Sequence, residues 1–412
     1  MAHVHSPDGA GPATPRTTFL LVVLLVSALL ATLAGLWLLW PNAGAVPDRV
    51  EARAEGTSFV DVTVTGTADP VTGGIPVELP SGEESRMQSP GPSVPLAPGD
   101  RITAVDISEV SQDGVDPLVF MDFQRDLPIA LLAIVYALVV LLVARWKGLA
   151  AMAGLALAFV VLLGFTMPAL LAGQSAIGVA LVTSSLVMFV TLYLAHGLSA
   201  RTSTALLGTL VGLALTAGLA AWASGAAQIM GTTSEASAFL PSSAPGADLR
   251  GIALCGIVLA GMGVLNDVTI TQASAVWELR AVAPTASRAE LFTSAMRIGR
   301  DHIASTVYTI AFAYVGAALP LLMMVWLVNQ SPATALTSGE IAEEVVRTLV
   351  GSIGLVLAIP VTTAIATLTV PGPAAEEDAD GGATEPTSDE PTSDEPLLAQ
   401  VSDAWAAETP SS

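Results

Sequence analysis

The sequence has little charge and only one cysteine, and both shortages limit what the protein can be. Charged residues make up 12% of the chain, about half of the fraction that is usual in soluble proteins. Cys255 is the single cysteine among 412 residues, so the chain forms no internal disulfide and no zinc site that needs several thiolates. No basic patch with interleaved aromatic residues occurs, which argues against a nucleic-acid partner.

Motifs that assemble a catalytic site are missing as well. The sequence contains no HExxH, GxSxG, GxxxxGK or paired CxxC motif, and so indicates no metalloprotease, serine hydrolase, phosphate-binding or thiol-redox site. No pattern places a nucleophile beside its base. We therefore expect a protein that is not an enzyme and that uses no cofactor or metal.

Long apolar runs are what the sequence has in abundance. Hydrophobic residues make up 52% of the chain and the mean hydropathy is +0.67. The first run, Phe19–Trp40, is long enough to cross the membrane and longer than the roughly 7–15 residues of a signal-peptide core, so it predicts a retained anchor at 19–40. Further spans are predicted at 127–144, 149–171, 176–195, 203–222, 251–276, 303–328 and 349–370. The expected fold is an all-α polytopic membrane bundle of about eight helices, the last seven within 127–370.

A small β-rich domain is predicted between the first two spans, at residues 46–124. The segment 58–66 alternates between apolar and polar residues as a half-buried strand does, and 99–110 and 117–123 have the same character. The turn-rich stretch 80–100 interrupts this pattern. A barrel or sandwich of about 80 residues fits, near the lower limit of independent stability.

Both ends of the chain are polar. Residues 1–18 contain three prolines, and 371–412 contain eleven acidic residues, no basic ones and the tandem EPTSDEPTSDEP. Such segments bury too little apolar surface to fold, so both are predicted to be disordered.

Basic residues in the short loops predict the orientation in the membrane. The loops of one side contain only Arg250 and Arg347, with Arg125 at the edge of a span. The loops of the other side contain Arg16, Arg145, Lys147, Arg201, Arg280, Arg288, Arg297 and Arg300. Because basic loops face the cytoplasm, both termini are expected to be cytoplasmic and residues 46–124 extracytoplasmic. One lysine against fourteen arginines indicates a GC-rich genome, hence the cytoplasmic membrane of a bacterium.

One predicted span contains a carboxylate near its middle. Arg250 and Glu278 mark the two ends of this span, and Asp267 lies about 4.5 Å from its midpoint. A span that stopped at Leu265 would be about 22 Å long, too short for a hydrocarbon core of about 30 Å. An acid at that depth costs about 2.5–3.5 kcal/mol, so Asp267 is expected to face the bundle interior or a wet cavity, or to bind a proton or cation.

Polar and small residues recur along one face of the same helix, at Gly263, Asp267, Thr271, Ser274 and Glu278. Their spacing of four, four, three and four residues puts them on one stripe. Two interpretations remain open. Either Asp267 titrates as part of a function, or the stripe only supplies hydrogen bonds between helices.

A second polar cluster precedes and enters the next predicted span. SRAE at 287–290 has the spacing of a capping box and predicts an interfacial helix on the cytoplasmic side. Arg297 and Asp301 are four residues apart and can pair, and His302 continues the polar face into the membrane. The alternative for Arg300 and Asp301 is simple anchoring at the cytoplasmic surface. The residues assigned to a candidate transport site are Asn266, Asp267, Thr271, Ser274, Glu278, Arg297, Arg300, Asp301 and His302. The GxxxG at Gly208 and Gly212 is attributed to chance, because glycine and alanine are abundant.

Four segments resemble the YibE/F family of bacterial multi-pass membrane proteins. They are DFQRDLPI, RWKGLAAMAGLALAF, GMGVLNDVTITQASAVWELR and MRIGRDHIASTVYTIAFAYVGAALPLL. The resemblance covers about residues 58–370 and departs at Tyr308, where an asparagine is expected. It implies an extracytoplasmic domain after the first span and a many-helix bundle, and it implies no particular activity.

Two functions are consistent with these patterns. The first is a proton- or cation-coupled transporter that carries a small ion or solute and is centred on Asp267. The alternative is a non-transporting membrane scaffold or envelope assembly factor, whose residues 46–124 bind an envelope protein. A third reading, an intramembrane hydrolase using Asp267 and Asp301, is disfavoured because the two acids differ in predicted depth.

Overall fold

The computed structural model describes residues 13–373, apart from 43, 50–53, 70–71, 92, 112–113, 233–234 and 329–330. Most of the predicted disordered tail, and residues 1–12 of the predicted disordered amino terminus, lie outside the described residues. The helices are α1 (Pro15–Leu38), α2 (Asp126–Val161), α3 (Met167–Leu171), α4 (Ala176–His196), α5 (Ala200–Ala226), α6 (Glu235–Ser243), α7 (Leu249–Val282), α8 (Arg288–Ala317), α9 (Leu319–Leu327), α10 (Pro332–Leu336) and α11 (Gly339–Thr369), with a π-helical turn at Leu162–Thr166 between α2 and α3.

Among the described residues, six helical stretches are long and apolar enough to cross a membrane. They are α1, the stretch Asp126–Leu171, α4, α5, α7 and the Ile341–Thr369 part of α11. A seventh crossing results if α8 and α9, which are bent by 66° relative to each other, are counted together as one broken span. The predicted multi-pass helical architecture is therefore confirmed, with six or seven candidate crossings among the described residues where the sequence predicted about eight.

The stretch Asp126–Leu171 contains a sharp bend where the sequence predicts a break between two spans. Arg145 has φ 52° and ψ −131°, which no α-helix contains. A Cβ on Gly148 would lie 2.7 Å from the carbonyl oxygen of Val140, whereas eight residues of unbroken helix would separate the two positions by about 12 Å. The RWKG segment is therefore a change of direction between two helices.

The second polar cluster lies in one continuous helix, which differs from the prediction. α8 begins with the expected capping box: the Ser287 hydroxyl accepts from the Glu290 N–H at 3.2 Å, and the Glu290 carboxylate accepts from the Ser287 N–H at 2.8 Å. The helix then runs to Ala317 without the expected change from an interfacial helix to a span at 303. It ends just before Pro320, because proline lacks an N–H and clashes with the preceding turn. Arg297 and Arg300 thus lie within α8 and not in a loop.

The helices α5, α7 and α11 pack closely in the centre of the helical part because small residues face one another. A Cβ on Gly208 would collide with the Thr362 hydroxyl, and one on Gly212 would lie 3.1 Å from both Leu265 Cδ2 and Ala358 Cβ. The attribution of this GxxxG to chance was wrong, since both glycines lie at a helix–helix contact. Only a residue without a side chain allows the backbones to approach this closely.

Buried threonine hydroxyls connect the same helices. The hydroxyls of Thr209 in α5 and Thr269 in α7 are 2.6 Å apart, and those of Thr204 in α5 and Thr369 in α11 are 2.9 Å apart. The second pair shows that the first turns of α5 and the last turn of α11 lie at the same end of the bundle.

Five strands form a closed barrel between α1 and α2. They are β1 (Ser58–Val64), β2 (Ile75–Glu78), β3 (Glu84–Gln88), β4 (Arg101–Asp106) and β5 (Leu118–Phe123). Their order around the barrel is β1-β2-β3-β5-β4, and β3 and β5 are the parallel pair. This is the topology of an OB-fold. The barrel core consists of Val62, Val64, Ile75, Val77, Met87, Ile102, Ala104 and Leu118.

The predicted β-rich domain is thus a barrel and not a sandwich. Two of its strands, β2 and β3, were not predicted. β2 has only four residues, and β3 lies inside the stretch 80–100 that was interpreted as turn-rich. Met87 is the one residue of β3 that the barrel buries. A strand with a single buried residue has too weak an alternation to be recognised from sequence.

A short polar junction joins the barrel to α2. The Arg125 guanidinium donates to the Asp122 carboxylate at 2.7 Å. This hydrogen bond, with a second from the Phe123 N–H, holds the pKa of Asp122 below its usual value.

Candidate functional site

The depth of Asp267 follows from the packing of its neighbours in α7. Leu265 contacts the site of Gly212 in α5, which lies 12 residues after the first residue of α5 and 14 before the last. Asp267 is two residues, about 3 Å, further along α7. It therefore lies near mid-height of the bundle.

His302 of α8 is the ionisable neighbour of Asp267. The imidazole Nε2 lies 3.8 Å from the carboxylate Oδ2, close enough for an ion pair when the imidazole is protonated and too long for a hydrogen bond. The Asp267 side chain is 70% exposed and the His302 side chain 31%. The pair thus lies at the edge of the α7–α8 contact and opens away from the bundle.

Two polar atoms, one in this pair and one in the residue before Asp267, have no hydrogen-bond partner within the described part of the chain. They are Oδ1 of Asn266 and Nε2 of His302, and both atoms are buried. Buried polar atoms are normally satisfied. The Asn266 oxygen can accept a further hydrogen bond, and the His302 nitrogen can accept or donate one. The Thr271 hydroxyl, in contrast, donates to the carbonyl of Asp267 within α7 at 2.7 Å.

Gln272 and Gly299 hold α7 and α8 together, and neither was among the predicted site residues. The Gln272 amide, which is buried, donates to the Ala295 carbonyl at 2.8 Å. A Cβ on Gly299 would lie 3.1 Å from the Gln272 side chain and 2.7 Å from Ile359 Cγ2 of α11. An amide within an apolar run, followed in the next helix by a glycine, is the sequence signal that could have identified this contact.

The structure brings only some of the predicted residues together. Ser274 is half-buried, and Glu278 lies eleven residues beyond Asp267, exposed and 3.9 Å from Arg201. Glu278 therefore belongs to the end of the bundle and not to the Asp267 site.

On α8, Arg297, Arg300 and Asp301 are exposed, and the expected pairing of Arg297 with Asp301 does not occur among the described contacts. Asp301 directly precedes His302, which contacts Asp267. The expected difference in depth between Asp267 and Asp301 was thus wrong, because it assumed that the membrane begins at residue 303.

The polar stripe of α7 faces outward from the single chain. Gly263, Asp267, Thr271 and Glu278 are exposed, whereas Thr269 and Gln272 on the other face are buried. Of the alternatives left open for Asp267, the interior of a one-chain bundle is therefore excluded. Exposure to lipid would cost about 2.5–3.5 kcal/mol, so a wet cavity or a bound proton or cation remains. The exposure of the stripe adds a further possibility, a covering partner.

The described residues contain no group of three or more histidine, cysteine, aspartate or glutamate side chains arranged to hold a metal ion. The arrangement does contain two groups whose interaction depends on whether each carries a proton. A carboxylate and an imidazole 3.8 Å apart attract each other when both are charged, and this attraction disappears when either becomes neutral.

Comparison with known proteins bears on the helical part. The family model described as YibE/F-like protein matches residues 132–372. Neither the curated proteins nor the solved structures give a significant match to the chain. The family match begins within α2, so it contains the Asp267–His302 pair and leaves out the barrel, which the resemblance had been expected to include. Because the match covers more than half of the chain, this protein is a member of the YibE/F family.

Proposed function

We propose that this YibE/F protein is a proton- or cation-coupled transport protein in which Asp267 is the ion-responsive group. The observation that carries the proposal is the carboxylate–imidazole pair of Asp267 and His302 at mid-height of the bundle. Ionisable groups at this depth are rare, and they commonly mark ion pathways. The buried Asn266 Oδ1 and His302 Nε2 form no hydrogen bond with the described residues, which supports a site that takes up a proton, a water or a small cation.

The coupling follows from charge. Protonated His302 attracts ionised Asp267, whereas a neutral imidazole leaves the carboxylate uncompensated. Proton uptake therefore changes the free energy of the α7–α8 contact, and any packing that separates the two helices is favoured in one protonation state over the other. Gln272 and Gly299, one to two turns away, hold the helices in register. The coupling thus requires only a population shift between two arrangements of α8.

We further propose eight crossings in the cytoplasmic membrane of a bacterium, with both termini cytoplasmic and the barrel outside. Two crossings in Asp126–Leu171 are supported by the bend at Arg145. Placement of that bend on the cytoplasmic side is supported by the charges of Arg145 and Lys147. The bent pair α8–α9 is treated as one broken span, a feature that recurs at the binding sites of transporters.

The proposal treats the chain as a carrier and not as an enzyme, without a cofactor. The neighbour of Asp267 is an imidazole. A paired-acid hydrolase needs two carboxylates that share a proton. The sequence also holds no motif that assembles a nucleophile with its base.

The test is a flux measurement on purified protein in proteoliposomes with a pH-sensitive dye inside. An imposed pH gradient should drive a proton or cation flux through the wild type, and Asp267→Asn should abolish its pH dependence. Glu278→Gln is the matched control, because that acid is equally exposed on the same helix and lies at its end. Equal pH-dependent flux in wild type and Asp267→Asn would refute the role of Asp267, and no flux in the wild type would refute transport.

A scaffold function is the second candidate, and the barrel favours it. The barrel is closed and has a core of its own, so its outer surface is available to an envelope protein. Deletion of residues 46–124 separates the two functions. A scaffold should lose all activity in the cell, whereas a carrier centred on Asp267 should keep measurable flux in proteoliposomes.

A further inference from the structure

The exposed face of α8 carries charge at mid-height of the bundle. Gly299 contacts Ile359 of α11, which lies ten residues, about 15 Å, from the last residue of that helix. Arg300 and Asp301 follow Gly299 directly and are both exposed. We take the last residue of α11 as the surface of the hydrocarbon core, which is about 30 Å thick. Both charges then lie near the centre of the core.

This face has no cover within the described chain. α8 packs against α7 and α11 on one side. The opposite side presents a stripe with spacing four, four, three and four, all of it exposed. The stripe consists of Arg297, Asp301, Ser305, Tyr308 and Phe312. Its inner half is polar and its outer half aromatic, so lipid suits only the outer half.

Two of the charges on this face, those of Arg300 and Asp301, are complementary to each other. Arg300 and Asp301 are adjacent in sequence and therefore almost equal in depth. In a dimer with a two-fold axis along the membrane normal, residues of equal depth meet, and each surface faces a copy of itself. Arg300 lies about 100° around α8 from Asp301 and borders the stripe. An axis that passes between these two residues brings the arginine of one copy opposite the aspartate of the other, twice. An unrelated partner would need the same two charges at the same depth.

We propose that a second copy of this chain covers the α8 face, with Arg300 of each copy paired with Asp301 of the other. The pairing removes both charges from lipid without any group from another protein. His302, which contacts Asp267, directly follows Asp301 in α8, so the proposed interface and the Asp267–His302 pair are at the same height. The inference rests on exposure and charge and does not require that the protein transports anything.

A charge exchange tests the pairing. The full chain is reconstituted in lipid nanodiscs or liposomes, and the dimer fraction is measured by single-molecule subunit counting. Arg300→Asp or Asp301→Arg alone places like charges opposite each other and should weaken dimerisation at least tenfold. The double variant Arg300→Asp/Asp301→Arg restores opposite charges and should return to within about threefold of wild type.

Arg288→Asp is the matched control for this exchange. Arg288 is also an exposed arginine of α8, but it is the first residue of the helix, so its reversal should leave the dimer unchanged. A monomeric wild type, unaffected single variants, or a double variant as weak as the single ones would each overturn the pairing.

Cysteine cross-linking tests the same face without changing its charge. In a Cys255→Ser background, Ser305→Cys on the stripe should give a dimer with a short bismaleimide in native membranes. Val139→Cys, exposed on the apolar surface of α2, should give none. Absence of the Ser305→Cys dimer, or cross-linking only to other proteins, would refute the second copy as occupant. Because these readouts use no flux, their failure is separate from failure of the transport proposal.

Discussion

Replacement of Gly208 by alanine tests whether the close approach of α5 and α11 stabilises the bundle. An alanine Cβ at this position would collide with the Thr362 hydroxyl and lie 3.0 Å from its Cβ and Cγ2. Thr362 is fully buried and its Cβ is attached to the backbone, so it cannot swing aside as the end of a long side chain would. Relief requires α5 and α11 to move apart.

The magnitude is best obtained as a difference from Gly218→Ala in the same helix. Gly218 is exposed and a Cβ there has no neighbour within 4 Å. Both substitutions gain about 1 kcal/mol of helix propensity, which cancels in the comparison. Overpacking at Gly208 costs about 1–3 kcal/mol. Gly208→Ala should therefore be less stable than Gly218→Ala by about 1–3 kcal/mol, or a few degrees in apparent melting temperature.

The assay is thermal unfolding of the purified proteins in one detergent, followed by tryptophan fluorescence at a single scan rate. The common scan rate matters because membrane proteins often unfold irreversibly. A Gly208→Ala protein as stable as Gly218→Ala would show that α5 and α11 do not meet at this residue. The close packing of α5 against α11 at the centre of the bundle would then be refuted.

Two further predictions concern the barrel and the buried hydroxyls. Met87→Ala empties a fully buried position of the barrel and should destabilise it by about 2–5 kcal/mol, seen as faster proteolysis within 46–124, whereas Met121→Ala at a half-exposed position should not; equal proteolysis would contradict the barrel core. Thr209→Val removes the 2.6 Å partner of the Thr269 hydroxyl, which keeps its hydrogen bond to the Asn266 carbonyl at 3.3 Å, and should lower stability by about 0.5–1.5 kcal/mol. The double variant Thr209→Val/Thr269→Val removes both groups and should cost no more than the single one; a larger loss in thermal unfolding would contradict the pairing.

The transmembrane segments were predictable because membrane insertion is governed by local composition. The predicted anchor 19–40 and α1 (Pro15–Leu38) agree within a few residues, as do the predicted spans 176–195 and 203–222 with α4 and α5. The capping box at Ser287 was also recognisable, since its two hydrogen bonds join residues three apart. Signals of this kind depend on neighbours in the chain.

The wrong predictions have one cause. Each concerns a feature that contacts between residues far apart in the chain determine. β3 is a strand because β2 and β5 flank it, although the glycines and prolines on either side of it are typical of turns. Arg300 was assigned to a cytoplasmic loop because it precedes an apolar run. Its neighbour Gly299, however, contacts Ile359 within the membrane-spanning part of α11, so Arg300 lies at that height.

The amino-acid sequence alone determined that this protein crosses the membrane many times, that a β-rich domain follows its first span, and that acids and amides lie within its apolar helices. It could do so because hydropathy and periodicity are properties of short segments. Tertiary structure alone decided that Asp267 meets His302, that Gln272 turns inward, and that Asp301 faces out at the same height. Those facts depend on the rotation and register of α8 against α7 and α11, which a few glycines control through packing with residues far away in the chain.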